Sequence, residues 1–242
     1  MKRHMQLAGM DEFSAAEMGK LYDQYFEARP AYTAEDHAAV FTLRYKVLCE
    51  ERLLLSMSQY PNHQEKDEHD EHAVPLMLWH RPTEKLVGCM RLIASDRGNH
   101  VLPAFALCPQ MTESCEMAST VELSRLVIAN QMRRRQGDLM YGRVMDNKED
   151  ERRRLPHIML GLCREALRQI QDRNITHVCA IVEPALHITM KRLGLFFAPA
   201  GPAMDFHGLR MPVYAKVSTL LERLRAENPQ NWHFVTEGGR LG

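Results

Sequence analysis

Hydrophobic positions along the chain fall into two periods, and the changes between them outline the elements. Residues 12–28 are polar and helix-compatible, and "TAEDHAAVFTLRYKVLCEERL" (33–53) is the stronger helix. It sets Ala39, Leu43, Val47 and Leu48 on one face, with Thr33 as N-cap and Asp36 three residues on. Two strands follow, "AVPLMLWH" (73–80) and "KLVGCMRLIAS" (85–95), joined by the turn-like "RPTE". "TVELSRLVIA" (120–129) is another strand, and "HVCAIVE" (177–183), bounded by Asn174 and Pro184, is the clearest. Helices separate the later strands. Residues 156–173 open at Pro156 and carry Ile158, Leu162, Ala166, Leu167 and Ile170 at helical spacing. Residues 185–195 end at Gly194, and 213–227 read as a last amphipathic helix. Gly201 and Gly208 with two prolines predict a hairpin over 201–212, and the tail from about 228 is expected to be loosely held. This order predicts a single α/β domain over 1–242 with a mixed sheet.

One stretch has neither period. From 131 to 154 seven Arg and one Lys stand against three Asp and two Glu, so 131–155 is a basic insertion. It is either a solvated charge block or a flap for an acidic partner or a phosphate. The whole chain has no such bias: 31 Lys+Arg balance 31 Asp+Glu, and no global field favours nucleic acid or an anionic membrane. The six cysteines form no C-x-x-C pair and several sit in apolar runs, which fits buried thiols in a reducing compartment. No run of eighteen apolar residues predicts a membrane span, and the basic start lacks an apolar signal region, so the expected location is the cytoplasm.

Four short pieces carry the candidate chemistry: "LRYKVL" (43–48), "EKDEHD" (65–70), "GCMRL" (88–92) and "VELSRL" (121–126). Each sets charge in or beside an apolar run, where an unpaired charge is costly, so the arginines and carboxylates are poised to pair. Glu122 and Arg125 are three apart and need a bulge or a strand end to share one site. "HQEKDEHDEH" (63–72) can be read as a metal site on His63, His69 and His72, as a solvated acidic loop, or as half of an active site. Its spacing fits no recognised zinc pattern, and no metal is expected. Cys89, beside Gly88 in an apolar strand, reads as packing rather than as a nucleophile.

The ordered set L-R-x-x-x-[apolar], E-x-D-x-x-D, G-x-x-R-[apolar] and E-x-S-R-[apolar] resembles the autoinducer synthases that make acyl-homoserine lactones, and the related N-acyl amino acid synthases. It is most similar to the acyltransferase group associated with PEP-CTERM/exosortase systems, over about residues 38–214. The resemblance implies the GCN5-related N-acetyltransferase (GNAT) fold, a mixed sheet whose splayed central strands admit an acyl-pantetheine thioester. It also implies an N-acyltransferase that moves a fatty acyl group to the amine of an amino acid or similar small acceptor by direct aminolysis. Carried over by position, Glu122 is the general base, with Ser124 in the same catalytic motif. Arg44, Asp67, Asp70, Arg91 and Arg125 organise the acceptor side, with Glu65 as an outer member. Apart from the motifs, Asp205, His207 and Arg210 of the 201–212 hairpin are expected to close over the acceptor, and Glu183-Pro184 is either near where such folds bind the pantetheine arm or a surface turn.

The departures narrow the substrates. His69 stands where the motif has an aromatic, and Leu48 and an aliphatic near Leu54 replace a phenylalanine and a tryptophan. Their loss favours an amino acid or another small amine over S-adenosylmethionine. The pyrophosphate loop of acetyltransferases is matched only in part, by Arg134 and Gly137, with Leu139 where a small residue is expected. An acyl carrier protein is therefore the expected donor over coenzyme A, with Arg133, Arg134, Arg135 and Gly137 on the donor side and no bound cofactor. Two alternatives stay open: an acyl-homoserine lactone synthase using S-adenosylmethionine, and a non-catalytic acyl-ligand binding module.

Overall fold

Strand pairing organises the protein. The computed structural model describes residues 15–95, 100–132, 158–171, 173 and 175–242. Most of the basic stretch, including Arg133, Arg134, Arg135 and Gly137, lies outside them. In chain order the first elements are α1 (Ala15–Tyr25), β1 (Phe26–Pro30), α2 (Ala34–Tyr45), β2 (Ala73–His80), β3 (Lys85–Ala94), α3 (Pro103–Leu107), α4 (Met111–Ser114) and β4 (Thr120–Ile128). After them come α5 (Ile158–Gln171), β5 (His177–Val182), α6 (Pro184–Arg192), β6 (Ala198–Pro199), β7 (Met204–Asp205), β8 (Leu209–Lys216), α7 (Val217–Glu227) and α8 (Pro229–Val235). The strands form one sheet in the order β1-β2-β3-β4-β5-β8-β6, and β7 pairs with β8. All pairings are antiparallel except β4 with β5, which is parallel.

Apolar faces decide the layers. On one side of the sheet α1, α5 and α8 enclose the main core, where Tyr22, Leu76, Leu78, Leu92, Leu160, Leu162 and Leu224 are fully buried. On the other side α2 supplies Val40 and Leu43, and the turn after it Val47 and Leu48, against Met77, Cys89 and Val127. Thr33 caps α2 by accepting from the Asp36 amide at 3.1 Å. The helix then widens into a π-helical turn, Lys46–Glu51, so the single long helix read over 33–53 is two geometries end to end.

Three sequence expectations differ from the structure. The segment 12–28 holds a strand as well as a helix: β1 buries Phe26, Ala28 and Pro30 in alternation and pairs with β2. The helix expected from 213 begins at Val217, because Met211–Lys216 pairs with β5 along the whole of that strand. The tail is not loose. Asn228 caps α8, Pro229 opens it, and Phe234 and Val235 are buried against Tyr22 and α5. Arg168 on α5 also pairs with Glu237 beyond it.

Phe234 is 2% exposed, so Phe234→Ala is expected to cost about 3–5 kcal/mol. Urea unfolding checks this; a loss below ~1 kcal/mol would mean that the tail is not part of the core.

Candidate active site

The acidic segment organises itself before it meets any partner. Asp67 accepts from the His69 amide at 3.0 Å, and Asp70 accepts from the Asp67 amide at 2.9 Å. This reciprocal capping box winds Glu68–His72 into a 3₁₀ turn and aims both carboxylates the same way. The Glu65 amide donates to Phe41 O at 3.0 Å, which fastens the segment to α2.

Three arginines converge on these carboxylates from three elements. Arg44 of α2 donates to Glu65 through Nε and to both oxygens of Asp70 at 2.7 and 3.0 Å. Arg91 of β3 meets Asp67 at 2.5 Å and Asp70 at 3.2 Å, and its Nε donates to the Ser124 hydroxyl at 3.0 Å. Arg125 of β4 reaches Glu65 at 3.0 Å and Asp67 at 2.7 Å. The network therefore closes with three cations against three anions. Burial alone would raise the Asp70 pKa, but hydrogen bonds and charge from Arg44, with the charge of Arg91, bring it down to about 2. Asp67 is lowered in the same way, burial being outweighed by Arg91 and Arg125.

A bulge makes this possible. Between the pairings Cys89–Val127 and Arg91–Ser124, β4 carries two residues, Arg125 and Leu126, opposite Met90 alone. Arg125 adopts φ +49°, in the left-handed region. Arg125 thereby joins Glu122 and Ser124 on the wall of one cavity, despite its odd spacing from both.

Glu122 stands apart from the network. It is 3% exposed, its Oε2 accepts from the Ala104 amide of α3 at 2.7 Å, and no arginine among the described residues lies within ion-pair distance. Burial pushes its pKa up, and the Ala104 hydrogen bond and the charges of Arg91 and Arg125 draw it only part of the way back, to about 7. Cys89 is buried with its thiol pushed up to about 12, which fits packing rather than nucleophilic work.

The cavity measures about 800 Å³. Asp67, His69, Arg91, Glu122, Ser124 and Arg125 line it, facing the aliphatic Leu48, Leu54 and Leu55 and the rim residues Glu183, His207 and Arg210. β4 and β5 pair only from Thr120–His177 to Glu122–Cys179 and then part. A second, apolar cavity of about 100 Å³ on the α5 side shares Leu123, Leu126, Val182 and Leu186 with the first, so the two cavities adjoin at the parted strands.

Several sequence placements are corrected. Glu65, read as an outer member, is fully buried and bridges Arg44 and Arg125. Arg44 and Asp70 are not among the residues that line the cavity; Arg44 holds Glu65 and Asp70, and Asp70 in turn holds Arg91 and the Asp67 amide. Ser124 accepts from Arg91 and so fixes that guanidinium. Asp205 accepts from the Gly208 amide at 3.1 Å, where it shapes the hairpin turn. His63 stacks on Tyr45, and His69 and His72 pack against His100; among the described residues no group of three His, Cys, Asp or Glu is arranged to hold a metal. Sequence reading missed the Ala104 amide and Arg52. Pro103, at the first position of a short helix, was the available signal for the former.

The sheet with its parted parallel pair is the GNAT fold. Residues 43–143 match the family described as the acetyltransferase (GNAT) domain. No curated protein matches the chain. Among solved structures the chain is similar to TofI in a ternary complex with an inhibitor and MTA, at 15% identity over 85% of this chain and 99% of that one, TM-score 0.59. It is similar to BjaI, a CoA-dependent acyl-homoserine lactone synthase with SAM and isopentyl-CoA, at 20% identity over 84% and 88%, TM-score 0.54. FeeM, an N-acyl amino acid synthase from uncultured soil microbes, aligns at 16% identity over 84% and 96%, TM-score 0.56. These likenesses concern the fold and do not bear on an exosortase association. No helix among the described residues is long and apolar enough to cross a membrane.

Removing one member of the network strands a buried charge. Glu65→Gln is expected to cost about 3–5 kcal/mol by urea unfolding, and a neutral result would refute the closed-network account. Glu122 has the opposite sign. Its folded pKa is raised, so its contribution to stability is fully present below the unfolded value near 4.5 and is lost as pH rises through about 7. Glu122→Gln is therefore expected to be more stable than the parent at pH 8 and equal to it at pH 4, read from paired denaturation midpoints.

Proposed function

We propose that this protein is an N-acyltransferase that moves a fatty acyl group from a pantetheine thioester, carried by an acyl carrier protein, to the amine of an amino acid or a similar small acceptor. The observation that carries this reading is Glu122: a buried carboxylate with a pKa of about 7, at the point where β4 and β5 part, facing an 800 Å³ cavity. A general base works best when its pKa lies near the operating pH.

The chemistry follows from that placement. The acceptor enters as an ammonium and is not nucleophilic until it loses a proton, which Glu122 takes directly or through a water. The nitrogen attacks the thioester carbonyl, and the oxyanion is met by backbone N–H groups on the free edge of β4 beyond Glu122. Collapse breaks the C–S bond, and the departing thiolate takes the second nitrogen proton. The acyl chain passes between the parted strands into the apolar cavity on the α5 side, walled by Met159, Cys163, Leu167 and Met190. Arg91 and Arg125 fix the polar wall on which the acceptor is oriented.

Support for the substrates is of two kinds. Leu48 and Leu54 face the cavity where the resemblance expects aromatic rings, and aliphatic groups lack the negative ring faces that attract a sulfonium cation. That favours an amino acid, the acceptor class in the name of FeeM, over the SAM named with BjaI. The carrier-protein donor rests on the arginine-rich sequence at Arg133–Arg135 and Arg152–Arg154.

The test is to incubate the protein with acyl-carrier-protein thioesters, a set of amino acids and S-adenosylmethionine, and to analyse the extract by mass spectrometry. An N-acyl amino acid is expected, with kcat/KM rising with pH through about 7. Glu122→Gln should lower kcat roughly 10²–10⁴-fold and abolish that pH dependence. An acyl-homoserine lactone formed only with S-adenosylmethionine would move the acceptor assignment. An empty extract from folded protein would leave a binding module.

A further inference from the structure

One short segment covers Glu122. The in-register neighbours of that residue are Ile93 on β3 and Cys179 on β5, both fully buried. Residues directly opposite one another on adjacent strands point to the same face, so the carboxylate rises between these two side chains. The arm His100–Leu107 lies over them: Leu102, Ala104 and Phe105 pack with Ile93 and Cys179 in a single apolar cluster. Leu102 and Ala104 are fully buried, and the Ala104 amide donates to Glu122. The arm therefore acts on the carboxylate in two opposed ways. It excludes water, and it offers one hydrogen bond; burial is the larger effect.

The start of the arm is tied down. The His100 amide donates to Ser95 O at 3.2 Å and its carbonyl accepts from the Ser95 hydroxyl at 3.0 Å, which fastens it to the end of β3. Its Nε2 lies 3.2 Å from Nδ1 of His69, and its ring stacks on His72 with centroids 4.1 Å apart and planes 23° from parallel. His69 and His72 belong to the Glu68–His72 turn, which the capping box shapes and Arg91 and Arg125 hold through Asp67. His100 and Ala104 are four residues apart, so at most about 14 Å of backbone separates the latch from the amide on Glu122. The ionic network is thus joined to Glu122 through two imidazole rings and one short stretch of chain. Acyl transfer as described above gives these rings no task of their own.

We propose that His100, latched by His69 and His72, is a positioning residue for Glu122: it holds the arm His100–Leu107 over the carboxylate and keeps water from it. Its importance to catalysis rests on the acyl-transfer reading, which makes Glu122 the base.

Carbon NMR of the full chain, labelled at its glutamate carboxyl groups, follows Glu122 without any substrate, its signal assigned by its absence from Glu122→Gln. The parent should titrate with a midpoint of about 7. In His100→Ala the arm is loosened and water reaches the carboxylate, so the midpoint should fall by about one unit or more. The rise of kcat/KM with pH should move down by the same amount. His100→Gln keeps a side-chain nitrogen within reach of His69 and should restore most of the parent value. A His100→Ala protein that is less stable but titrates at the parent midpoint has lost only a packing contact, and this result overturns the proposal. So does a midpoint that rises, because the Ala104 hydrogen bond alone would then be missing and the arm would be no cover. His72→Ala, which removes only the stacked ring, should shift the midpoint the same way by less; it decides the matter if His100→Ala does not fold, and no shift there is equally fatal. A lowered midpoint in a protein that forms no N-acyl product would fail the reaction and keep the arm; acyl transfer with one pH profile for parent and His100→Ala would do the reverse.

Discussion

Three arginines, two of them buried, must find three carboxylates, and the rest of the site depends on that constraint. Arg44 comes from α2, Glu65, Asp67 and Asp70 from the acidic segment, Arg91 from β3 and Arg125 from β4. Taking these charges largely out of water costs desolvation energy of the same order as their attraction, so the network is weak evidence for added stability. Its effect is on register. A one-residue slip of β4 against β3 would turn Arg125 away and leave Glu65, fully buried, half paired. The left-handed backbone at Arg125 costs on the order of 1–3 kcal/mol, and its contacts with Glu65 and Asp67 offset it.

The same bulge protects Glu122. A carboxylate on a strand next to an arginine would ordinarily pair with it and become a fixed anion, too weak a base to deprotonate an amine. Here Arg125 is turned toward Glu65 and Asp67, and Glu122 is left with the Ala104 amide. Two carboxyl groups within a few residues' reach of one cavity thus titrate far apart, Asp70 near 2 and Glu122 near 7. Pairing sets the first and desolvation the second.

Much of this was legible in the sequence, and the failures have physical causes. Thr33 was readable as a cap because the hydroxyl and Asp36 stand at the capping spacing, and β2, β3, β4 and β5 because each is a short apolar run with clear ends. That Glu122 and Arg125 need a bulge or a strand end to share a site followed from strand parity alone, and the structure has the bulge. β1 escaped because five residues continuing directly from a helix give no separate period. At "VYAKVSTLLERL" the helical spacing after Val217 masked the β-branched and aromatic start, whose pairing with β5 is a long-range fact. The burial of Glu65 could not be read because a glutamate in a polar run looks solvated; only the approach of Arg125, sixty residues away in sequence, makes it central. Arg52 was missed for the same reason, since its partner Glu183 is 131 residues distant.

Magnitudes decide whether the rim charges and Glu122 act independently. At a separation of about 13 Å, the backbone rise from Cys179, the partner of Glu122, to Glu183, one unit charge acts on another with roughly 0.3 kcal/mol in water and about 1.3 kcal/mol at an effective dielectric of 20. The larger figure is about one pKa unit at most, and the shared carboxylate of Glu183 reduces it further. Burial sets the Glu122 carboxyl, opposed mainly by the Ala104 hydrogen bond and the nearer charges of Arg91 and Arg125.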